Sequence, residues 1–250
     1  MMAKTKRFLT AVVQGGLVAL LCAAVAGCAA VAPRLQESGL NSGFPFRPET
    51  PFETYLLSTG RMIEQARVDL NDANRETVLR ANAPFELRPD PVRFPRTRQG
   101  KHPKGVLLIH GLSDSPYMMQ PLARHLRERG FLVRAILLPG HGTVPGDLRR
   151  VTYVDWIEAA TYGLRTLKAD ADRVYVGGFS TGGALAVFLA LEDPDVAGLL
   201  LFAPAFDTRN KLAALGGWLG LFRDWVGPQR DDADYAKYES FATNAVHQIY

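Results

Sequence analysis

The sequence predicts an α/β protein built on a mostly parallel sheet with helices on both faces. Two patterns carry that prediction. From Gly105 onward, short apolar runs of strand length alternate with longer stretches whose apolar residues recur every three or four positions. The runs are continuously apolar rather than alternating, which suits strands covered on both sides. Composition agrees: of 250 residues, 47% are hydrophobic and 22% charged, ordinary for a globular chain with one sizeable core. The formal charge of +4 is small, and Lys4, Lys6 and Arg7 at the extreme N-terminus supply part of it. The sequence has no basic stripe with interleaved aromatics, no zinc-type Cys/His spacing and no internal repeat. It points away from nucleic-acid partners.

Taken in order, residues 1–27 read as a secretory signal. Lys4, Lys6 and Arg7 precede an almost uncharged run over 8–27 that ends in small residues, the layout of an export segment. Val25-Ala26-Gly27-Cys28 resembles the lipobox of bacterial lipoproteins, in which the Cys becomes the lipid-bearing first residue of the mature chain. A thiol takes a diacylglyceryl group as a thioether, and several acyl chains together hold a protein on a membrane where one is marginal. Two other readings stay open: a membrane-spanning anchor, since about 20 apolar residues just span a bilayer, and an ordinary signal cut at one of the alanines. On the lipoprotein reading Cys22 leaves with the signal and Cys28 is modified, so no thiol remains for a disulfide. Ala29 after the Cys resembles lipoproteins sorted to an outer membrane. The expected location is therefore the bacterial cell envelope, facing the periplasm or the surface.

Residues 28–50 carry Pro, Gly and Ser without periodicity and are expected to act as a tether. Residues 51–104 form an N-terminal helix and loop segment. Phe52, Tyr55, Leu56, Met62, Ile63, Ala66 and Leu70 recur at helical spacing and predict a helix over 51–81. Five prolines between Pro84 and Pro103 predict a surface loop with one short edge strand at Phe85–Leu87. The core is expected over 105–208, opening with a strand at Val106–Ile109. A helix over 116–129 follows, with Ser115 as N-cap, Pro116 at its first position and Gly130 at its stop. Phe131–Leu138 is the second strand, closed by Pro139-Gly140, and 153–168 the next helix. Arg173–Gly178, 182–192 and Ala197–Phe202 then read as strand, helix, strand. Residues 209–250 are expected to form a helical cap segment. Its apolar stretch with Leu215, Trp218, Phe222 and Trp225 suits a lid over a hydrophobic pocket. A core helix would show the same periodicity.

The chemistry is concentrated in Gly178-Phe179-Ser180-Thr181-Gly182, followed by Gly183. It stands directly after a predicted strand and before a predicted helix, the setting of a nucleophile elbow. Such a turn strains the Ser backbone, so the residues two before and two after have to be small. Gly178 and Gly182 meet that need. The following helix points its N-terminal N–H groups at developing negative charge. A Gly-rich strand-to-helix turn without chemistry has the same string. The second element is His110-Gly111-Leu112 at the end of the first core strand. Acyl transfer needs donors where the oxyanion forms, each worth about 3 kcal/mol of barrier. The N–H groups of Thr181 and Leu112 are the candidates, whereas His110 reads as a buried structural histidine rather than a base.

Val106–Pro116, the run Leu138-Pro-Gly-His-Gly-Thr143 with Asp155-Trp156 beyond it, and Gly178–Gly183 stand in order at familiar spacing. Together they resemble the α/β-hydrolase family, in its monoacylglycerol-lipase, carboxylesterase and serine-aminopeptidase-like branch, over roughly 105–250. The resemblance implies an α/β-hydrolase fold, a Ser-Asp-His triad, no metal or other cofactor, and a cap inserted after the strand ending near Ala203. It gives His141 a structural role in shaping the loop beside the pocket. The pattern breaks after the cap. The family order is Ser, acid, His, each later member following its own strand, and neither strand is found before Tyr250. His247 is the one histidine after Ser180, and Asp207, Asp224, Asp231, Asp232 and Asp234 have no strand end to sit on. The triad acid and His are expected beyond residue 250, with a triad recruiting His247 as the alternative. The expected function is a membrane-tethered serine esterase or lipase acting on a small-molecule ester or lipid. A non-catalytic binding lipoprotein and an amide-cleaving aminopeptidase-like enzyme are the other readings.

Overall fold

The predicted sheet forms with five strands in the order β1 (Phe85–Leu87), β3 (Leu132–Ile136), β2 (His102–Ile109), β4 (Ala171–Phe179) and β5 (Val196–Phe202). The computed structural model of the chain describes residues 32–206, 224–226 and 235–249. The chain divides into residues 1–33 and 34–250, and the fold is that of the second unit. The expected signal, Cys28 and most of the expected lid lie outside the described residues. β1 is the expected short edge strand and pairs antiparallel with β3. β2, β3, β4 and β5 are mutually parallel, with Val106 beside Val133 and Tyr175.

Side chains alternate across this sheet, so one strand feeds two cores. Leu107 and Ile109 of β2 face α1 (Phe52–Ala66), α4 (Tyr153–Asp170) and α5 (Thr181–Glu192), where Tyr55, Trp156, Leu167 and Leu189 are buried with them. Val106 and Leu108 face Met119, Ala123 and Leu126, the last two on α3 (Gln120–Glu128). Helices therefore cover both faces, and the unbroken apolar run of β2 is explained. Gly163 lets α4 close on the sheet: a methyl group there would meet Leu107 Cδ1 at 2.8 Å. β5 is the last strand of the sheet among the described residues, with Leu199, Leu201 and Phe202 exposed.

Several boundaries differ from expectation, each for a local reason. The helix expected over 51–81 is two, α1 and α2 (Arg75–Asn82). Asn71 and Asn74 break it: Asn71 Oδ1 accepts from the Ala73 and Asn74 N–H groups, and Asn74 Oδ1 from Asn71 N–H at 2.8 Å. Ser115 is not a side-chain cap. Its Oγ donates to the Ala81 carbonyl at 2.5 Å, and a 3₁₀ turn at Pro116–Met119 precedes α3. Arg134 sits inside the buried strand β3. It is tolerated because Nε donates to Glu86 at 2.8 Å, Nη2 to Asp170 at 2.5 Å, and the guanidinium lies 4.4 Å above the Phe52 ring.

The stretch expected as a tether, 28–50, is packed into the fold over much of its length. Leu35 and Asn41 are buried, Phe44 lies 5.2 Å from Tyr162, and Phe46 lies 4.9 Å edge-on to Tyr55. Residues 235–249 also return to the core, where Ala236, Tyr238, Ala242 and Ala245 are buried.

The N-terminus of α4 is closed by a capping box. Thr152 accepts from the Asp155 N–H at 3.3 Å, and the Asp155 carboxylate accepts from the Thr152 N–H at 2.7 Å. Thr152→Ala is expected to lower unfolding stability by about 1 kcal/mol, while Thr152→Ser keeps most of it. Urea denaturation followed by circular dichroism checks both.

Candidate active site

Ser180 stands between β4 and α5 with φ 52° and ψ −116°, a conformation that costs any residue with a Cβ. Its surroundings enforce it. The Ser180 N–H donates to the Phe202 carbonyl at 3.0 Å, and its carbonyl accepts from Gly183 at 2.9 Å and Ala205 at 3.0 Å. The flanking glycines are needed for space: a methyl group on Gly178 would collide with the Gly182 carbonyl, and one on Gly182 with the Ile109 carbonyl. The second collision shows how closely the start of α5 lies against the end of β2. Ser180 is left partly exposed above the sheet.

The loop after β2 lies against this turn, since a methyl group on Gly111 would meet Phe179 Cδ1 at 3.0 Å. His110 is fully buried. Its Nε2 accepts the Leu138 N–H at 3.1 Å, which leaves Nδ1–H to donate to the Gly111 carbonyl at 2.8 Å. That carbonyl also accepts from the Asp114 N–H at 3.1 Å. In a trans peptide the C=O and N–H point opposite ways. Anchoring the Gly111 oxygen therefore turns the Leu112 N–H outward. Among the described residues neither the Leu112 nor the Thr181 N–H has an acceptor. The structure thus brings Ser180, Leu112, Thr181, Gly178 and Gly182 together.

His141, in the Pro-Gly-His-Gly turn, is also fully buried and holds the same loop. Its Nε2 is 2.6 Å from the Leu112 carbonyl and its Nδ1 3.0 Å from the Pro139 carbonyl. Burial holds the pKa of His141 below the ordinary value, and that of His110 well below it. A neutral His141 has one N–H to give. The contact to Leu112 is the shorter, and the Pro139 oxygen also receives the Trp156 Nε1–H at 3.1 Å, so the proton is assigned to Nε2 toward Leu112. Neither histidine is free to act on Ser180. Nor does another described residue hydrogen-bond the Ser180 hydroxyl. His102 is buried at the opposite end of β2, and His125 lies 2.9 Å from Arg129. His247 is exposed at the end of α6 (Thr243–His247), and Asp224 pairs with Arg149 at 2.7 Å.

Two features of the site are not legible from local pattern. One is Tyr238, whose ring stacks on His141 at 9° and whose N–H donates to the Ser113 carbonyl at 2.9 Å. Its signal was only an aromatic in a cap segment. The other is a groove of about 320 Å3 beside the elbow, walled by Trp156, Ile157, Leu185, Phe188, Thr181 and Ile249. Trp156 and Ile157 read in sequence as the apolar face of a helix, which they also are. Among the described residues no group of His, Cys, Asp and Glu is placed to hold a metal.

The buried histidines His110 and His141, with His102, whose pKa burial also lowers, make stability depend on pH. Their folded pKa values lie below the unfolded value of about 6.5, so the unfolded chain binds more protons as pH falls. Stability is expected to be full above pH 6.5 and to fall below it by up to about 1.4 kcal/mol per pH unit for each histidine. Thermal melts between pH 7.5 and 5 measure this, and a flat profile would contradict it.

The serine aminopeptidase S33 family profile matches residues 100–244, more than half of the chain. A thermostable monoacylglycerol lipase of Bacillus sp. (strain H-257) is 34% identical over 151 residues, covering 59% of this chain and 60% of that one. A carboxylesterase of Bacillus subtilis (strain 168) is 24% identical over 152 residues, covering 58% and 61%. The chain thus spans about 60% of the length of these relatives. Among solved structures, one from a study of two metagenome-derived lipolytic enzymes superposes with a TM-score of 0.57 at 24% identity, over 68% of this chain and 66% of that one. The monoacylglycerol lipase of Paleococcus ferrophilus superposes with a TM-score of 0.51 at 18% identity, over 66% and 67%. At those identities the superpositions speak for the fold alone. The chain belongs to the serine aminopeptidase S33 family, and its fold is that of the α/β-hydrolases.

Proposed function

We propose that the protein is a serine hydrolase of carboxylic esters, with Ser180 as the nucleophile that becomes acylated. One observation supports the reading: a strained, partly exposed serine opens α5 beside an apolar groove, and the nearby Leu112 and Thr181 N–H groups have no acceptor among the described residues. An ester carbonyl seated there would place its oxygen on the two donors as the Ser180 oxygen attacks. The apolar groove suits the acyl chain of a lipid-like ester. The names of the similar lipase and carboxylesterase favour an ester over an amide. The hydroxyl needs a general base, and the reading takes none from the described residues, where His110 and His141 are hydrogen-bonded to the backbone and the other histidines lie elsewhere. That observation favours a second reading, a protein that binds an ester without cleaving it.

A fluorophosphonate probe and p-nitrophenyl esters of rising acyl length separate the two. Hydrolysis is expected, with the adduct on Ser180, and Ser180→Ala should lose the adduct and at least about a thousandfold of the rate. Binding of ester with neither adduct nor turnover is the outcome for the second reading. Aminoacyl p-nitroanilides tested alongside distinguish an amide-cleaving enzyme.

The same proposal extends to location. The Val25–Cys28 pattern supports a lipid on Cys28 that holds the protein at an envelope membrane, the outer one on the strength of Ala29. In a bacterial host, Cys28→Ser is expected to abolish palmitate incorporation and release the protein from the membrane fraction. Incorporation that persists in this variant would refute the anchor.

A further inference from the structure

We infer that the segment Arg34–Thr50 is part of the oxyanion machinery, with Ser38 and Asn41 as positioning residues that act on Leu112 through His141. The inference rests on the reading of Ser180 and Leu112 proposed above. The segment precedes residue 100, where the family match begins.

Asn41 is 3% exposed and grips the turn around His141 from two sides. Its backbone carbonyl accepts the Gly140 N–H at 3.0 Å, and its Nδ2 donates to the His141 carbonyl at 2.7 Å. Ser38 holds the far end of the same turn. Its N–H and its Oγ each donate to Asp147 at 2.7 Å, and the buried Asp147 carboxylate also accepts from Thr143 Oγ1 at 2.5 Å. The turn needs such a grip. Gly140 and Gly142 flank His141 with φ of 83° and 77°, and glycine pairs of this kind leave a backbone free to move unless it is tied down. The ring that the grip immobilises donates to the Leu112 carbonyl at 2.6 Å. Between Asn41 and the peptide that follows the oxyanion donor there is thus one residue, His141. The neighbouring peptide is held by Tyr238 N–H on Ser113, so the loop has independent supports and the fold survives the loss of one.

The test combines Asn41→Ala, the equally shaped Asn41→Asp, which lacks the donor, and the pair Ser38→Ala and Ser38→Thr. Losing an oxyanion donor costs about a hundredfold or more in kcat, and displacing one costs part of that. Both Asn41 variants and Ser38→Ala are expected to lower kcat about tenfold or more with KM within twofold. Backbone amides of 111–114 should exchange faster in all three, and Ser38→Thr should restore both properties. Wild-type kcat in the Asn41 variants and in Ser38→Ala, with unchanged exchange at 111–114, overturns the inference. If Asn41→Ala does not fold, the Ser38 pair decides. If the parent chain gives neither adduct nor turnover, the serine reading fails, while amide exchange still decides whether the segment holds the loop.

Discussion

Everything at the site depends on a bend too tight for side chains. β4 reaches Ser180 and α5 leaves it with the Gly178 and Gly182 backbones so close that a single methyl on either would strike a carbonyl. The positive φ of Ser180 is the local cost, and the surrounding chain sustains it through a bond from the Ser180 N–H to the Phe202 carbonyl and one from the Ala205 N–H to the Ser180 carbonyl. The bend leaves Ser180 partly exposed at the start of α5, whose first N–H, that of Thr181, has no acceptor among the described residues. It also presses the start of α5 onto the end of β2, which places the Leu112 loop where it stands.

Two buried neutral histidines then set the loop. His110 anchors the oxygen of the Gly111–Leu112 peptide, and His141 the oxygen of the next one. Imidazole is suited to this work. At His110 one nitrogen donates while the other accepts, so the ring satisfies the backbone on both sides without burying a charge. For His110 the accepted proton comes from Leu138, which ties the loop after β2 to the end of β3. Residues of this type in an α/β-hydrolase fold invite assignment as bases, and the hydrogen bonds here give them another task.

The sheet was legible because its central strand β2 is covered on both faces and reads as an unbroken apolar run, and the apolar runs of β4 and β5 start and stop within a few residues of expectation although β5 leaves Leu199, Leu201 and Phe202 exposed. Arg134 shows the limit, since β3 holds a charge that only Glu86 and Asp170 explain, 48 and 36 positions away in sequence. The elbow was legible because its constraint is local and glycine is its signature. The support behind it was not. Residues 28–50 have no periodicity, over 36–50 they form neither helix nor strand, and what holds the described part is distant in sequence: Phe44 packs on Tyr162, and Ser38 and Asp147 are 109 positions apart. Composition marks such a stretch as a tether, whereas its buried Asn41 and Leu35 make it part of the core.

Gly146 lies far from the chemistry in sequence, in the 3₁₀ turn at Pro145–Arg149, where the backbone of Gln36 passes directly over it. A methyl group there would strike the Gln36 carbonyl. Even alanine at that position acts as a wedge under the N-terminal segment, so variation that leaves every polar contact intact can still loosen the clasp around the turn. The position thus has room for glycine alone without a backbone shift, and the packing of two backbones, rather than any functional group, sets that limit.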